Sequence, residues 1–211
     1  FDVVRLETKL RWDKEELVIR AVCLRLRARR LPGVHVETVE NHKLFLAHQL
    51  ITRALDRNHD GQINPSEAAS ANILLYGQSL GGQAVIHLAR WLRDRRVPVR
   101  LTVQIDSWGF DDSRIPPNVQ AAANLYQRDL PVRGQSKIHP EDPTRTRILG
   151  NWRYRYNRAN PVPLPGESWL RRFWLRGHLK MGYDQNVWRQ VEELLLAALG
   201  SPISSLPSPP T

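Results

Sequence analysis

Stretches of helical length, with apolar residues three and four positions apart, alternate along the chain with short runs of β-branched and aliphatic residues. That rhythm is the one expected of an α/β fold, a mostly parallel central sheet flanked by helices. Residues 13–30 (DKEELVIRAVCLRLRARR) predict a helix with acidic side chains in its first turn and arginines in its last, as the helix dipole favours. The alternation in LRLRA also fits a strand. Pro32-Gly33 breaks the segment, and VHVETV (34–39) reads as a short strand. NHKLFLAHQLITRAL (41–55) is amphipathic, with Leu44, Ala47, Ile51 and Leu55 on one face. NILLYG (72–77) is nearly continuous apolar sequence, the pattern of a central strand covered on both faces. A crossover helix follows at 82–96 and a further strand, VRLTVQID, at 99–106.

Beyond residue 106 the pattern loosens. Residues 107–145 are rich in Pro, Asn and Asp and predict one helix at 116–128. RTRILGNWRYRY (145–156) reads as a strand, NRANPVPLPGESW as a loop, and QNVWRQVEELLLAALG (185–200) as a closing helix. Residues 1–200 therefore read as one domain. The tail SPISSLPSPPT (201–211) is expected to be disordered, because Pro and Ser with little apolar mass do not offset the entropy of ordering.

Two motifs carry chemistry. Gly77-Gln78-Ser79-Leu80-Gly81 matches G-x-S-x-G with an apolar strand before it and a helix after it, the context that presents a serine nucleophile on a strained turn. Gly77 and Gly81 lack Cβ atoms that would meet the adjoining strand and helix, and the Leu80 N–H at the helix start is placed to donate to an oxyanion. A serine needs a base, and the base an orienting acid. Asp106 ends the next strand, on the same rim as Ser79, and His178 stands in RGHLKM before the closing helix. Asp111 and Asp112 are the rival acids. His139 is the rival base, since His35, His42, His48 and His59 precede the elbow and His87 falls inside a helix.

The second motif lies just upstream. Asp56, Asn58, Asp60, Gly61, Gln62, Ile63, Asn64 and Glu67 fill D-x-N-x-D-G-x-I-x-x-x-E. This is the order in which an EF-hand loop wraps a calcium ion, with side-chain oxygens at positions 1, 3, 5, 9 and 12, the main-chain carbonyl of Gln62 at position 7, and Gly61 at the sharp turn. A polar turn rich in Asp, Asn and Gly is the plainer reading, but chance rarely fills so many specified positions. The incoming helix is present and the outgoing one is short, and no second such loop occurs. A lone loop points to a structural calcium site rather than a sensor, because sensors pair their loops. It also enters the nucleophile strand from the end opposite Ser79, roughly 20 Å away for six residues at about 3.3 Å each.

The stretch LLYGQSLGGQAVIHLARWLRDRRVPVRLTVQIDSWG resembles the α/β-hydrolase superfamily, and within it the thioesterase-like branch. The match is close over residues 72–110 and looser over 175–199, where GHLKM resembles that branch's histidine segment. The resemblance implies Ser79 as nucleophile, His178 as base, Asp106 as orienting acid, and a small-molecule ester or thioester as substrate. It also implies a glycine-rich loop that supplies a second oxyanion donor. The only counterpart, VVRLETKLRWD at 3–13, has no glycine, and the family's first strands have no counterpart here. A non-catalytic calcium-binding α/β domain, related to hydrolases but inactive, therefore stands as the alternative.

Composition changes this picture little. Of 211 residues, 41% are apolar and 25% charged, ordinary values for a globular chain. No apolar run is long enough to span a bilayer, and the first residues lack the apolar centre of a secretory signal. Cys23 is alone, which excludes an intrachain disulfide. The formal charge of +10 is almost all arginine and raises a nucleic-acid or membrane-surface reading, with Arg93, Arg95, Arg96 and Arg100 as its first patch. The arginines are interspersed with acidic residues and form no basic block interleaved with stacking aromatics, which argues against a nucleic-acid function. Trp108, Phe110, Leu125 and Tyr126 lie where this fold often carries a lid, as candidates to line an acyl pocket or to join the core.

Overall fold

A computed structural model of the chain describes residues 2–7, 16–129, 131–157 and 161–206, with side chains described from residue 21 onward. In chain order the elements are β1 (Asp2–Glu7), α1 (Glu16–Ala28), β2 (His35–Glu40), α2 (Leu44–Leu55), α3 (Pro65–Ala69), β3 (Ile73–Gln78), α4 (Leu80–Asp94) and β4 (Val99–Ile105). They continue with β5 (Arg114–Ile115), β6 (Val119–Tyr126), β7 (His139–Pro140), β8 (Arg147–Arg153), α5 (Trp169–Trp174), α6 (Arg176–Tyr183) and α7 (Gln185–Gly200). Six strands form one sheet in the order β2-β1-β3-β4-β6-β8, and every neighbouring pair is parallel. β5 and β7 pair separately.

β3 sits inside the sheet, and all six of its residues are buried. Period-two alternation divides them between two cores. Leu74 and Tyr76 join Leu101, Val103 and Ile105 under α1 and α7, whereas Ile73 and Leu75 pack beneath α2 and α4. Covering on both faces is what parallel sheets require, and it explains the unbroken apolar run. α4 buries Ala84, Val85, Leu88, Ala89 and Leu92, a stripe at helical spacing that fixes its face against the sheet. α7 starts at Asp184, whose side chain accepts the Asn186 N–H at 2.9 Å and satisfies one of the free amides of the first turn.

Two expectations fail. The helix expected at 116–128 is absent: its centre, Val119–Tyr126, is the strand β6. The run Ala121–Ala123 favours helix by a few tenths of a kcal/mol per residue. Between β4 and β8, however, the same residues are fully buried, with Ala121 and Ala123 in one core and Ala122 in the other. Burial on both faces and ladder bonds on both edges outweigh so small a preference. The tail also departs from expectation over its first part. Ile203–Ser205 form a 3-10 turn and Leu206 is buried, while the Arg147 guanidinium donates to the carbonyls of Ile203, Ser204 and Leu206. Residues 207–211 lie outside the described residues, as do 13–15 of the first helix expected. No helix among the described residues is long and apolar enough to cross a membrane.

Candidate active site

Parallel strands open their C-terminal ends on one edge of the sheet, and there the structure gathers the elbow, Asp106 and His178. Ser79 follows β3 with φ 57 and ψ −129, a left-handed conformation costly for any residue with a Cβ. The strain is held by its neighbours. The Ser79 N–H donates to the Ile105 carbonyl at 2.9 Å, and the Ser79 carbonyl accepts from Gly82 at 2.9 Å and Trp108 at 3.2 Å. The turn is also tight: a Cβ on Gly77 would stand 2.3 Å from the Gly81 carbonyl oxygen. Serine at a helix N-cap normally bonds the first-turn amides, but here its hydroxyl makes no cap bond. Leu80, the first helical residue, keeps an N–H without an intrahelical acceptor.

Asp106 is fully buried and left-handed too, at φ 43. Four donors surround its carboxylate. Gly134 N–H donates to Oδ1 at 2.9 Å and Gln127 N–H at 3.4 Å, while the Gln127 amide donates to Oδ2 at 2.9 Å. The fourth is His178, whose Nδ1 bonds Oδ2 at 2.6 Å. These bonds aim the carboxylate and fix its rotamer, and the imidazole is held through Nδ1. α6 carries His178 and lies across the strand ends. Gly177 packs on Gln127, after β6, and Gly182 on Gln78, beside the serine. Among the described residues no hydrogen bond joins the Ser79 hydroxyl to His178; without substrate such bonds are often open and tighten in the complex.

The rivals stand apart from the elbow's partners, two of them engaged elsewhere. Asp111 pairs with Arg90 at 3.0 Å. Asp112 accepts the Ser107 hydroxyl at 2.5 Å, and burial, partly offset by that bond, raises its pKa. His139 lies exposed on β7. Of the acyl-pocket candidates, Leu125 belongs to the core, and Trp108 and Phe110 stand exposed at the rim. Tyr126 ends β6, half-buried. The glycine-free counterpart of the second oxyanion loop, residues 3–13, begins within β1, which neighbours β3 in parallel. Its residues 8–13 lie outside the described residues.

Asp56, Asn58, Asp60, Gln62, Asn64 and Glu67 all fall in the connection from α2 to β3 that was expected to bind calcium, at the opposite edge of the sheet. Gly61 takes φ +80 at the sharp turn. Asp56 accepts the amides of Asp60 at 3.1 Å and Gly61 at 2.8 Å; Glu67 accepts those of Arg57 at 2.7 Å and Asn64 at 2.9 Å. Asn64 caps α3, and Glu67 completes its capping box. Amide donors thus organise the loop, and among the described residues no three His, Cys, Asp or Glu side chains converge to hold a metal ion. The donors are nonetheless the hard oxygens calcium prefers. Asp56 and Glu67 are 9% and 3% exposed, and among the described residues no cation pairs with either. Buried anions without a counter-charge are costly, and an ion in the loop would relieve that.

The chain matches no protein-family model, and no curated protein matches it in sequence.

Several of the described arginines have structural partners. Arg25 and Arg29 grip Glu192, Arg90 and Arg93 reach Glu141, and Arg100 binds the carbonyls of Ala198 and Ser201.

Proposed function

We propose that the protein is a serine hydrolase that cleaves an ester or thioester through Ser79, His178 and Asp106, with calcium as a structural ion. The observation that carries this reading is the 2.6 Å bond from His178 to the buried Asp106 on the edge where Ser79 is held in strain. Ser79 Oγ attacks the acyl carbonyl carbon as its proton passes to His178 Nε2. The carbonyl oxygen becomes an oxyanion facing the Leu80 N–H. Collapse expels the alcohol or thiol, which takes the proton from His178, and leaves an acyl-serine. Water, deprotonated by the same nitrogen, then attacks the acyl carbon and returns Ser79 with a free acid. Asp106 stabilises the imidazolium in both halves and stays ionised.

Calcium would be held by Asp56, Asn58, Asp60, the Gln62 carbonyl, Asn64 and Glu67. Its part is to tie α2 to α3 and to neutralise the two buried carboxylates, with no contact to substrate. The test is labelling with a fluorophosphonate probe, with calcium and with a chelator, and mass spectrometry of the adduct. An adduct on Ser79, absent in His178→Ala, supports the hydrolase. A folded, calcium-loaded protein that takes no label is the non-catalytic calcium-binding domain instead.

A further inference from the structure

Four of the six residues of α5 are large and apolar, and all four face outward. Trp169 is 75% exposed, Leu170 49%, Phe173 66% and Trp174 55%. So dense an exposed apolar patch marks an interaction surface. Trp169 and Phe173, one helical turn apart, join Leu164 and the neighbouring α6 in lining a cavity of about 1110 Å³. The rest of the lining is the 161–163 segment, Asn157 and three cations, Arg172, Arg176 and Lys180, of which Arg172 donates to the Leu164 carbonyl at 2.8 Å. Lys180 is only 7% exposed and makes no ion pair within 4 Å among the described residues; its ammonium lies 5.5 Å from the Tyr156 ring. Burial, with Arg176 nearby, lowers its pKa, and Asp129 opposes the shift only in part. Arg176 is exposed and likewise lacks an ion-pair partner among the described residues. Glu167, just before α5, is engaged by Arg171 at 2.7 Å and the Tyr183 hydroxyl at 2.9 Å.

A cavity lined by apolar side chains and three cations, with Trp169 on its wall and Trp174 exposed on the same short helix, has the chemistry of a membrane-interface site, where indole rings sit at head-group level and cations meet anionic lipid. We propose that α5 and the cavity-lining side of α6 dock an anionic membrane lipid, its acyl portion against Leu164, Trp169 and Phe173 and its head group among Arg172, Arg176 and Lys180. Positions 178 and 180 are about 200° apart around a helix. The lipid therefore meets the face of α6 turned away from Asp106, and docking leaves the His178–Asp106 bond intact. The site stands apart from the catalytic reading and survives its failure.

The experiment is co-sedimentation and tryptophan emission with phosphatidylcholine vesicles, with and without phosphatidylglycerol, using the full chain and its Ser79→Ala variant. Both proteins are expected to bind phosphatidylglycerol vesicles far more tightly than neutral ones. At about 1 kcal/mol per basic residue, Arg176→Ala loses roughly fivefold and Arg172→Ala/Arg176→Ala about 25-fold. The doubly substituted Trp169→Ser/Phe173→Ser, folded by circular dichroism, loses binding to both vesicles. Equal binding to the two vesicle types, or full binding by the double arginine variant, overturns the proposal. So does displacement by inorganic phosphate alone, which would mean a free-anion site. A lipid-free dimer that Trp169→Ser/Phe173→Ser dissolves would mean that a second copy covers α5, and would overturn it equally.

Discussion

Gly177→Ala tests whether the seating of α6 sets the catalytic geometry. A Cβ on Gly177 would lie 2.4 Å from Gln127 Oε1 and 2.7 Å from the Asp129 Cβ. Gln127 has no room to turn aside, since its amide donates to Asp106 and Val132 and its oxygen accepts the Asp129 N–H. Ordinary van der Waals contact begins at 3.4 Å, so the helix must lift by about 1 Å. The adjacent His178 rides with it, and the 2.6 Å bond to Asp106 stretches to the limit of a hydrogen bond or past it. A misplacement of about 1 Å costs on the order of 100-fold in rate, or about 2.7 kcal/mol in activation free energy. The assay is kcat/KM on an activated ester, beside the rate of fluorophosphonate labelling and a thermal melt. Labelling slowed on the order of 100-fold, with the fold retained, is the expected result. Wild-type labelling and melting would refute the argument that this glycine seats the histidine.

Other substitutions probe the same edge and the loop behind it. Asp106→Asn is expected to leave the protein folded and to cut kcat by about 10³- to 10⁴-fold, because an amide does not hold the imidazole in the required tautomer; a steady-state assay reads it. Gly77→Ala drives a Cβ to 2.3 Å from the Gly81 carbonyl at a site with rigid backbone on both sides, so loss of the cooperative melt is expected. Calcium at a hundred times its dissociation constant adds about 2.7 kcal/mol to stability, a rise of about 5–10 °C in Tm for a chain this long; an unchanged melt with chelator would refute a structural site. Asp112 binds its proton more tightly in the folded state, so its contribution is whole below 3.8 and is lost as pH rises through the raised folded pKa. Asp112→Asn keeps an acceptor for Ser107 without that loss, and melts of both proteins from below 3.8 to neutrality are expected to diverge in favour of the variant as pH rises.

The sequence by itself determined whatever depends on near neighbours. The elbow is such a case: Gly77, Ser79 and Leu80 owe their geometry to a turn a few residues long, and the strand before it and the helix after it are written in apolar spacing. The α7 bounds, the α2 face and the order of oxygens in the 56–67 loop are legible for the same reason. Tertiary structure decided the rest. Chain order ranked Asp106 and His178 above their rivals, but their pairing across 72 residues required β4, β6 and α6 to end on one edge. Gln127 and Gly134, which aim Asp106, carry no sequence signal, because nothing local distinguishes them from ordinary loop residues. The strand β6 was read as a helix because alanine's small preference is visible in sequence while burial on two faces is not. α5 shows the same limit in reverse: Trp169 ends a segment read as a loop, and only the packing shows that it and Trp174 stand outside on a helix. Local physics is encoded residue by residue, whereas non-local contacts exist only once the chain has closed upon itself.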